Sequence, residues 1–523
     1  MHCIPRSTLV TVAFLSLGAA GCTDTTELPT STITDNNYFN DPSAYRALLA
    51  KVYAGLAVSG QQGPAGNGDI QGIDEGFSQY LRLYWEAEEL PSDEAVIAWG
   101  DVGLPEMNTQ LWASSNSFVV AMYYRIGFQV AMANEFLRQT TDAQLASRNV
   151  SPDLKAKIQV WRAEARFLRA LSYWHGIDLF GNIPLVTEAD PVGTTPPPQA
   201  SRQQIFDFLV SELTSMQADL LASGPGTYGR ATKEAASMLL AKVYLNGEVY
   251  TGTPRYAEAL AAAQAVIAGP FTLDPSFRHV FQADNNTSPE IIFPIIQDGK
   301  STQTYGAVTF LIHASCGGSM VAGDYGLDGC WYGLRLKPEA YSRFAVDDPR
   351  RAYFWLDQQT VTVDAISNFN NGIPSPKFEN VTSTGVAGSN SQFVDTDFPM
   401  FRLADAYLIY AEAVLRGGGG DPNQALAYVN ALRERAYGNT SADITGADLT
   451  LQFILDERGR ELLWEGHRRT DLVRFGQFTG GASLWAWKGG APAGTATESF
   501  RDLYPLPASE LTANPNLVQN PGY

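Results

Sequence analysis

Histidine and cysteine are scarce in this 523-residue chain, which has five of the first and four of the second. His175, His279, His313 and His467 are scattered, with no His-Glu-x-x-His spacing and no Cys-x-x-Cys pair, so no metal centre is expected. No Gly-x-Ser-x-Gly elbow and no phosphate-binding Gly-Lys-Ser/Thr loop occurs. Gly224-Pro225-Gly226-Thr227-Tyr228-Gly229 does fit Gly-x-Gly-x-x-Gly, but it follows a helical pattern rather than a strand and reads as a loop between helices. Nothing local marks the paired carboxylates of a glycosidase. The chain is therefore expected to be neither an enzyme nor a cofactor carrier. Charge is thin as well, at 17% of residues against roughly 25% in average domains. Its balance is acidic, with a formal net charge of −19, which argues against nucleic acid or an anionic membrane surface as a partner. Past residue 22 no apolar run is long enough to span a bilayer.

The N-terminus does carry a targeting signal. Arg6 supplies a positive start, Leu9–Leu17 a short apolar run, and Ala19-Ala20-Gly21 the small residues that lead into Cys22. This reads as a secretory leader over residues 1–21. Small residues directly before a cysteine suit a lipoprotein signal peptidase, so Cys22 is expected to become the acylated first residue of the mature chain, although Ala19 stands where leucine is commonest. Each buried methylene contributes roughly 0.8 kcal/mol, so two or three acyl chains give durable membrane attachment. Residues 22–40 form a tether. The other reading is an ordinary secreted protein with a chance cysteine. With Cys3 lost in the leader, only Cys316 and Cys330 remain, flanking a glycine-rich loop. In an oxidising compartment a disulfide closing that loop contributes about 2–3 kcal/mol; two free, buried thiols are the alternative.

Aromatic residues are plentiful: 10 Trp, 23 Tyr and 26 Phe. Helical periodicity dominates. Tyr45, Leu48, Leu49, Val52, Tyr53 and Leu56 make one stripe after Asp41-Pro42, and further helical patterns cover 116–138, 152–180, 201–221, 232–246, 255–268, 403–416, 421–437 and 450–465. Residues 74–112 are neither cleanly periodic nor disordered. The fold class is mainly α, built of tetratricopeptide-like helix pairs of about 34 residues with alanine at their contacts. An N-terminal helical region, 41–270, and a C-terminal one, 401–523, are separated by a long irregular insertion, 271–400. Within it Glu290–Ile296 reads as a buried strand. Irregular segments carried on a rigid scaffold concentrate binding residues, so this insertion is the candidate ligand-binding lobe.

Three stretches resemble the SusD/RagB family. They are Ala163-Glu-Ala-Arg-Phe-Leu-Arg-Ala170 continuing through Leu171–Leu185; Glu457-Arg458-Gly459-Arg460-Glu461-Leu462 with Glu465–Gly476; and the C-terminal Leu503-Tyr-Pro-Leu-Pro507, Asn514-Pro515-Asn516-Leu517 and Gln519–Tyr523. The resemblance implies a non-catalytic, surface-facing lipoprotein of the outer membrane. Such a protein binds a nutrient, chiefly a glycan, beside a SusC-like TonB-dependent transporter. A peptide-uptake or assembly scaffold that uses the repeats for protein contacts is the competing reading. The charged residues of these stretches, Glu164, Arg166, Arg169, Glu457, Arg458, Arg460, Glu461, Glu465, Arg468 and Asp471, read as ion pairs that fix helix against helix.

A glycan platform needs exposed aromatic planes for the C–H face of a sugar ring, with polar groups around the rim. The segment Pro91–Asp101 resembles the part of SusD-like proteins that precedes their ligand-contacting loop, which makes Trp99 and Asp101 the leading pair. Trp112 is a second candidate. On or beside the Cys316–Cys330 loop, Tyr325, Trp331 and Tyr332 are candidates for the other half of the site. For each aromatic residue the alternative is that it fills the joint between insertion and repeats.

Overall fold

The structure is a computed structural model that describes residues 38–193 and 195–523. Cys22, the 1–21 leader and most of the 22–40 tether lie outside the described residues. Short polar residues start the helices. Asp41 accepts from the Ser43 amide ahead of α1 (Ser43–Ala57), Asn116 caps α3 (Ser117–Gln139), Ser151 caps α4 (Pro152–Leu179) and Ser201 with Gln204 forms a capping box on α5 (Arg202–Ser215). Each cap meets amides that the first turn leaves without partners. Next come α6 (Lys233–Leu245) and α7 (Tyr256–Ile267), then α9 (Leu403–Leu415), α10 (Pro422–Tyr437) and α11 (Leu451–Glu461). They stack in chain order: α1 on α3, α3 on α4, α4 on α5, α5 on α6, α6 on α7, α7 on α9 and α9 on α10. Buried alanines, among them Ala236, Ala259, Ala263, Ala406 and Ala413, allow the close approach.

Two helices fall where no periodicity was visible: α2 (Tyr80–Glu89) and α8 (Ala307–Ser315). Every residue of both is buried, the charged residues of α2 included, so neither shows the wet face of a surface helix. The charged side chains of α2 are buried against partners, although burial pushes the carboxyls of Glu86, Glu88 and Glu89 upward. Arg82 meets Glu86 at 3.0 Å, Glu88 accepts from Thr470, and Glu89 accepts from the amides of Gly466 and His467. These last contacts tie α2 to the segment that opens α12 (Arg468–Arg474).

Short strands complete the frame. β2 (Ile291–Ile295) pairs antiparallel with β4 (Phe398–Arg402), so the irregular insertion leaves and returns to the helical stack side by side. β1 (Ala95–Ile97) pairs antiparallel with β3 (Leu334–Leu336), with Ala95 opposite Leu336 and Ile97 opposite Leu334.

The family-like charged residues are structural. Arg166 and Arg169 of α4 both reach Glu212 of α5, at 2.9 and 2.8 Å. Arg402 holds Glu290, Glu461 and Glu465, and Arg458 bridges Asp405 and Asp471. Most of these pairs join different elements; only a few, such as Arg474 with Asp471, run along one helix. The chain end is anchored too: Asn520 donates to the carbonyls of Phe180 and Tyr504. Gly224–Gly229 is an irregular turn between α5 and α6, as its position after a helix predicts.

Candidate functional site

Trp99 and Trp331 lie 232 residues apart in sequence and meet because of the β1–β3 ladder. Beyond Ile97 the pairing continues through the Ala98 amide, which donates to the Gly333 carbonyl; Trp99 follows Ala98 directly, and Trp331 lies two residues outward from Gly333. The Trp99 indole Nε1 donates to the Trp331 carbonyl at 3.0 Å, and the two ring centroids are 6.4 Å apart. Gly333 is required at this crossing, because a Cβ there would lie 2.9 Å from two atoms of the Trp99 ring. Both rings are half-buried, each with a surface left open.

Each ring has a fixed backing. Trp331 stacks on His313 of α8, with centroids 4.5 Å apart and planes at 20°. Burial holds the His313 imidazole below its ordinary pKa, so the ring under Trp331 is neutral near pH 7. Trp99 packs edge-on against Phe310 of α8 and lies over the Arg82 guanidinium, whose carbon is 5.4 Å from the ring centroid. That guanidinium is itself flanked by Phe77 and Phe310. Burial lowers the Arg82 pKa, against the opposing charges of Glu86, Asp74 and Asp101. Among the described residues its Nη2 has no hydrogen-bond partner, and neither does the second oxygen of Glu86. Burial pushes the Glu86 carboxyl up to about 7, with Arg82 pulling the other way.

The third member escaped sequence reasoning. Tyr305, half-buried, lies 6.1 Å from Trp331 by centroid and 5.3 Å from Phe393, and its hydroxyl accepts from Gln392 Nε2. The Tyr305 amide donates to Glu75, and Thr304 Oγ1 donates to the same carboxylate. Nothing in the Gly/Ser/Thr-rich run around Tyr305 marks it. Its only signal was membership of the irregular insertion, just ahead of α8.

The remaining expected residues separate. Asp101 is exposed, two positions after Trp99, and its charge acts on Arg82. Tyr332 is 51% exposed, at a positive φ of 55°, and packs edge-on against Phe369 next to the platform. Trp112 does not belong to the site: it is 2% exposed, its Nε1 donates to the Tyr523 hydroxyl at 2.7 Å, and its ring lies 4.5 Å from Tyr504. The C-terminal residues cover it, a long-range contact that sequence spacing cannot show. Tyr325 is also absent from the platform and lines a different cleft, with Tyr353 and Trp355. Cys316 and Cys330 stand at the two ends of the loop as a disulfide with Cα atoms 4.7 Å apart. Among the described residues no group of three or more His, Cys, Asp or Glu side chains could hold a metal ion, and no helix is long and apolar enough to cross a membrane.

A mainly helical stack of paired helices with short strands is the fold of the SusD superfamily. The fold aligns with a SusD superfamily protein of Bacteroides thetaiotaomicron at a TM-score of 0.71 and 20% identity, over 92% of this chain and 99% of the other. It aligns with surface glycan-binding protein A of the same organism, solved in complex with laminarihexaose, at a TM-score of 0.69 and 20% identity, over 91% and 98%. At such identities the likeness establishes the fold. The SusD family model matches residues 350–523. The starch-binding protein SusD of B. thetaiotaomicron is 33% identical, over 98% of this chain and 97% of the relative. The chain belongs to the SusD family.

Proposed function

We propose that this protein is a non-catalytic glycan-binding lipoprotein of the outer membrane, anchored through Cys22 and facing the cell surface, which delivers its ligand to a SusC-like TonB-dependent transporter. The observation that carries this reading is the convergence of Trp99, Trp331 and Tyr305. Three half-open rings, backed by buried groups and rimmed by Asp101 and Gln392, match the alternating apolar faces and hydroxyl edges of a sugar chain. The rigid backing means that little side-chain freedom is lost on binding. The names of the relatives agree, one being a starch-binding protein and one having been solved with laminarihexaose. The Cys316–Cys330 disulfide holds the segment that leads directly into Trp331.

Calorimetry against maltooligosaccharides and laminarihexaose tests the platform. Trp99→Ala, Trp331→Ala and Tyr305→Ala are each expected to weaken binding about tenfold or more; wild-type affinity in all three rejects it. Mass spectrometry of the mature N-terminal peptide should find acyl chains on Cys22. Co-purification from membranes should yield a barrel partner. A partner without any glycan affinity would favour peptide uptake or assembly.

A further inference from the structure

Tyr325 sits on the same disulfide-closed loop that leads into Trp331, yet it faces elsewhere. It lines a cleft of about 420 Å³ whose wall includes Tyr353, Phe354, Trp355, Arg278 and Glu379. None of the platform's three rings is in that wall. The volume is within the range of roughly 300–1,000 Å³ typical of small-molecule sites. Tyr325 and Trp355 are half-buried, and among the described residues neither ring has another aromatic packed on it. Trp355 is held by its indole, which donates to Ser319 Oγ at 3.0 Å, so its orientation is fixed from the side of the disulfide loop.

The polar groups narrow the ligand class. Arg278 is mostly exposed and Glu379 almost wholly buried, and they pair through two nitrogens, Nη2 at 2.6 Å and Nε at 3.2 Å. Because their charges answer each other, an ionic ligand would have to break the pair, whereas hydroxyls can join its edge. The hydroxyls of Tyr325 and Tyr353 have no hydrogen-bond partner among the described residues, which leaves two groups able both to donate and to accept. Burial pushes the Tyr325 phenol up to about 12, with Glu379 adding to the effect, so it stays protonated and able to donate at any physiological pH.

We propose that this cleft is a second carbohydrate subsite, separate from the platform, which takes a short neutral oligosaccharide against Tyr325 and Trp355 with its hydroxyls on the Arg278–Glu379 pair. Its ligand class follows the platform reading, but its residues do not overlap with it. The loop that carries Tyr325 leads directly into Trp331, so a single polysaccharide can be held at two points and gain avidity from effective concentration.

Calorimetry on the full-length mature protein separates the two sites, with maltoheptaose and laminarihexaose as probes and a trigalacturonate as the anionic control. The expected result is that Trp99→Ala/Trp331→Ala retains a weaker, saturable site for a neutral probe, that adding Trp355→Ala weakens this remainder about tenfold, and that Trp355→Ala alone leaves the tighter site unchanged. Tyr325→Phe, which keeps the ring, should reduce the remainder less than Trp355→Ala does. Circular dichroism melts confirm that each variant is folded. If the platform variant loses all binding while Trp355→Ala behaves as wild type, the second site is overturned and the platform stands. If Trp355→Ala or Tyr325→Phe loses binding while the platform variant does not, the platform reading fails and the cleft stands. A remainder that prefers trigalacturonate, or wild-type protein that binds no probe, also overturns the proposal.

Discussion

Glu86 shows how a group one layer beneath the surface sets the electrostatics of the site. It is fully buried on α2, carries the one charge that meets Arg82 at 3.0 Å, and titrates near neutrality, at about 7, because burial penalises its carboxylate. A carboxyl whose folded pKa is raised contributes stability that is present below its unfolded value, near 4.5, and is lost as pH rises through the folded value. Glu86→Gln should therefore flatten the fall in stability between about pH 4.5 and 7, by on the order of 1–3 kcal/mol. The check is a pair of denaturant titrations, near pH 5 and near pH 8, on wild type and variant. Parallel changes in the two proteins would reject the role given to Glu86.

At the scale of elements, buried ion pairs lock α11 to its neighbours. Glu461 faces Arg350 at 3.3 Å, Arg402 at 2.8 Å and Arg435 closer still. Burial alone would raise its pKa, but Arg435, Arg402 and Arg350 outweigh burial and hold it down to about 2. Glu457 is likewise held at about 2 by Arg350, Arg460 and Arg433 against burial. Stability from such depressed carboxyls is present above about pH 4.5 and lost as pH falls toward 2. Glu461→Ala removes one carboxylate from each of three buried guanidinium groups, which keep Asp348, Glu457, Glu290 and Glu465, and should cost roughly 3 kcal/mol, measured as a lowered urea midpoint. The variant should also lose less stability than wild type on going to acid pH. A near-neutral effect would show that the remaining carboxylates satisfy the arginines without Glu461.

For the whole molecule, long-range ties matter more than any single repeat. Tyr504 donates to the Ala87 carbonyl of α2, Asn520 ties Phe180 to Tyr504, and Tyr523 closes over Trp112. Deleting residues 503–523 should therefore abolish the cooperative thermal transition rather than fray one end. A melt close to wild type by circular dichroism would contradict this. The helices at 117–139, 152–179, 233–245 and 403–415 were legible in the sequence because apolar residues recur along them and breakers or capping residues bound them. Alanine at their contacts and the capping residues were legible for the same local reason, whereas Trp99 and Asp101 were singled out by a family-like segment and Trp331 and Tyr332 only by their place beside the Cys316–Cys330 loop. Only the tertiary structure decided the rest. α2 and α8 are buried on all sides, the charged residues of α2 included. Trp112 went to the core and Tyr325 to another cleft, while Tyr305 joined the platform, because a residue's exposure there depends on chain that lies hundreds of positions away. Local pattern is fixed by neighbours along the chain, whereas a binding surface is made where the β1–β3 ladder and the folded insertion bring distant residues together.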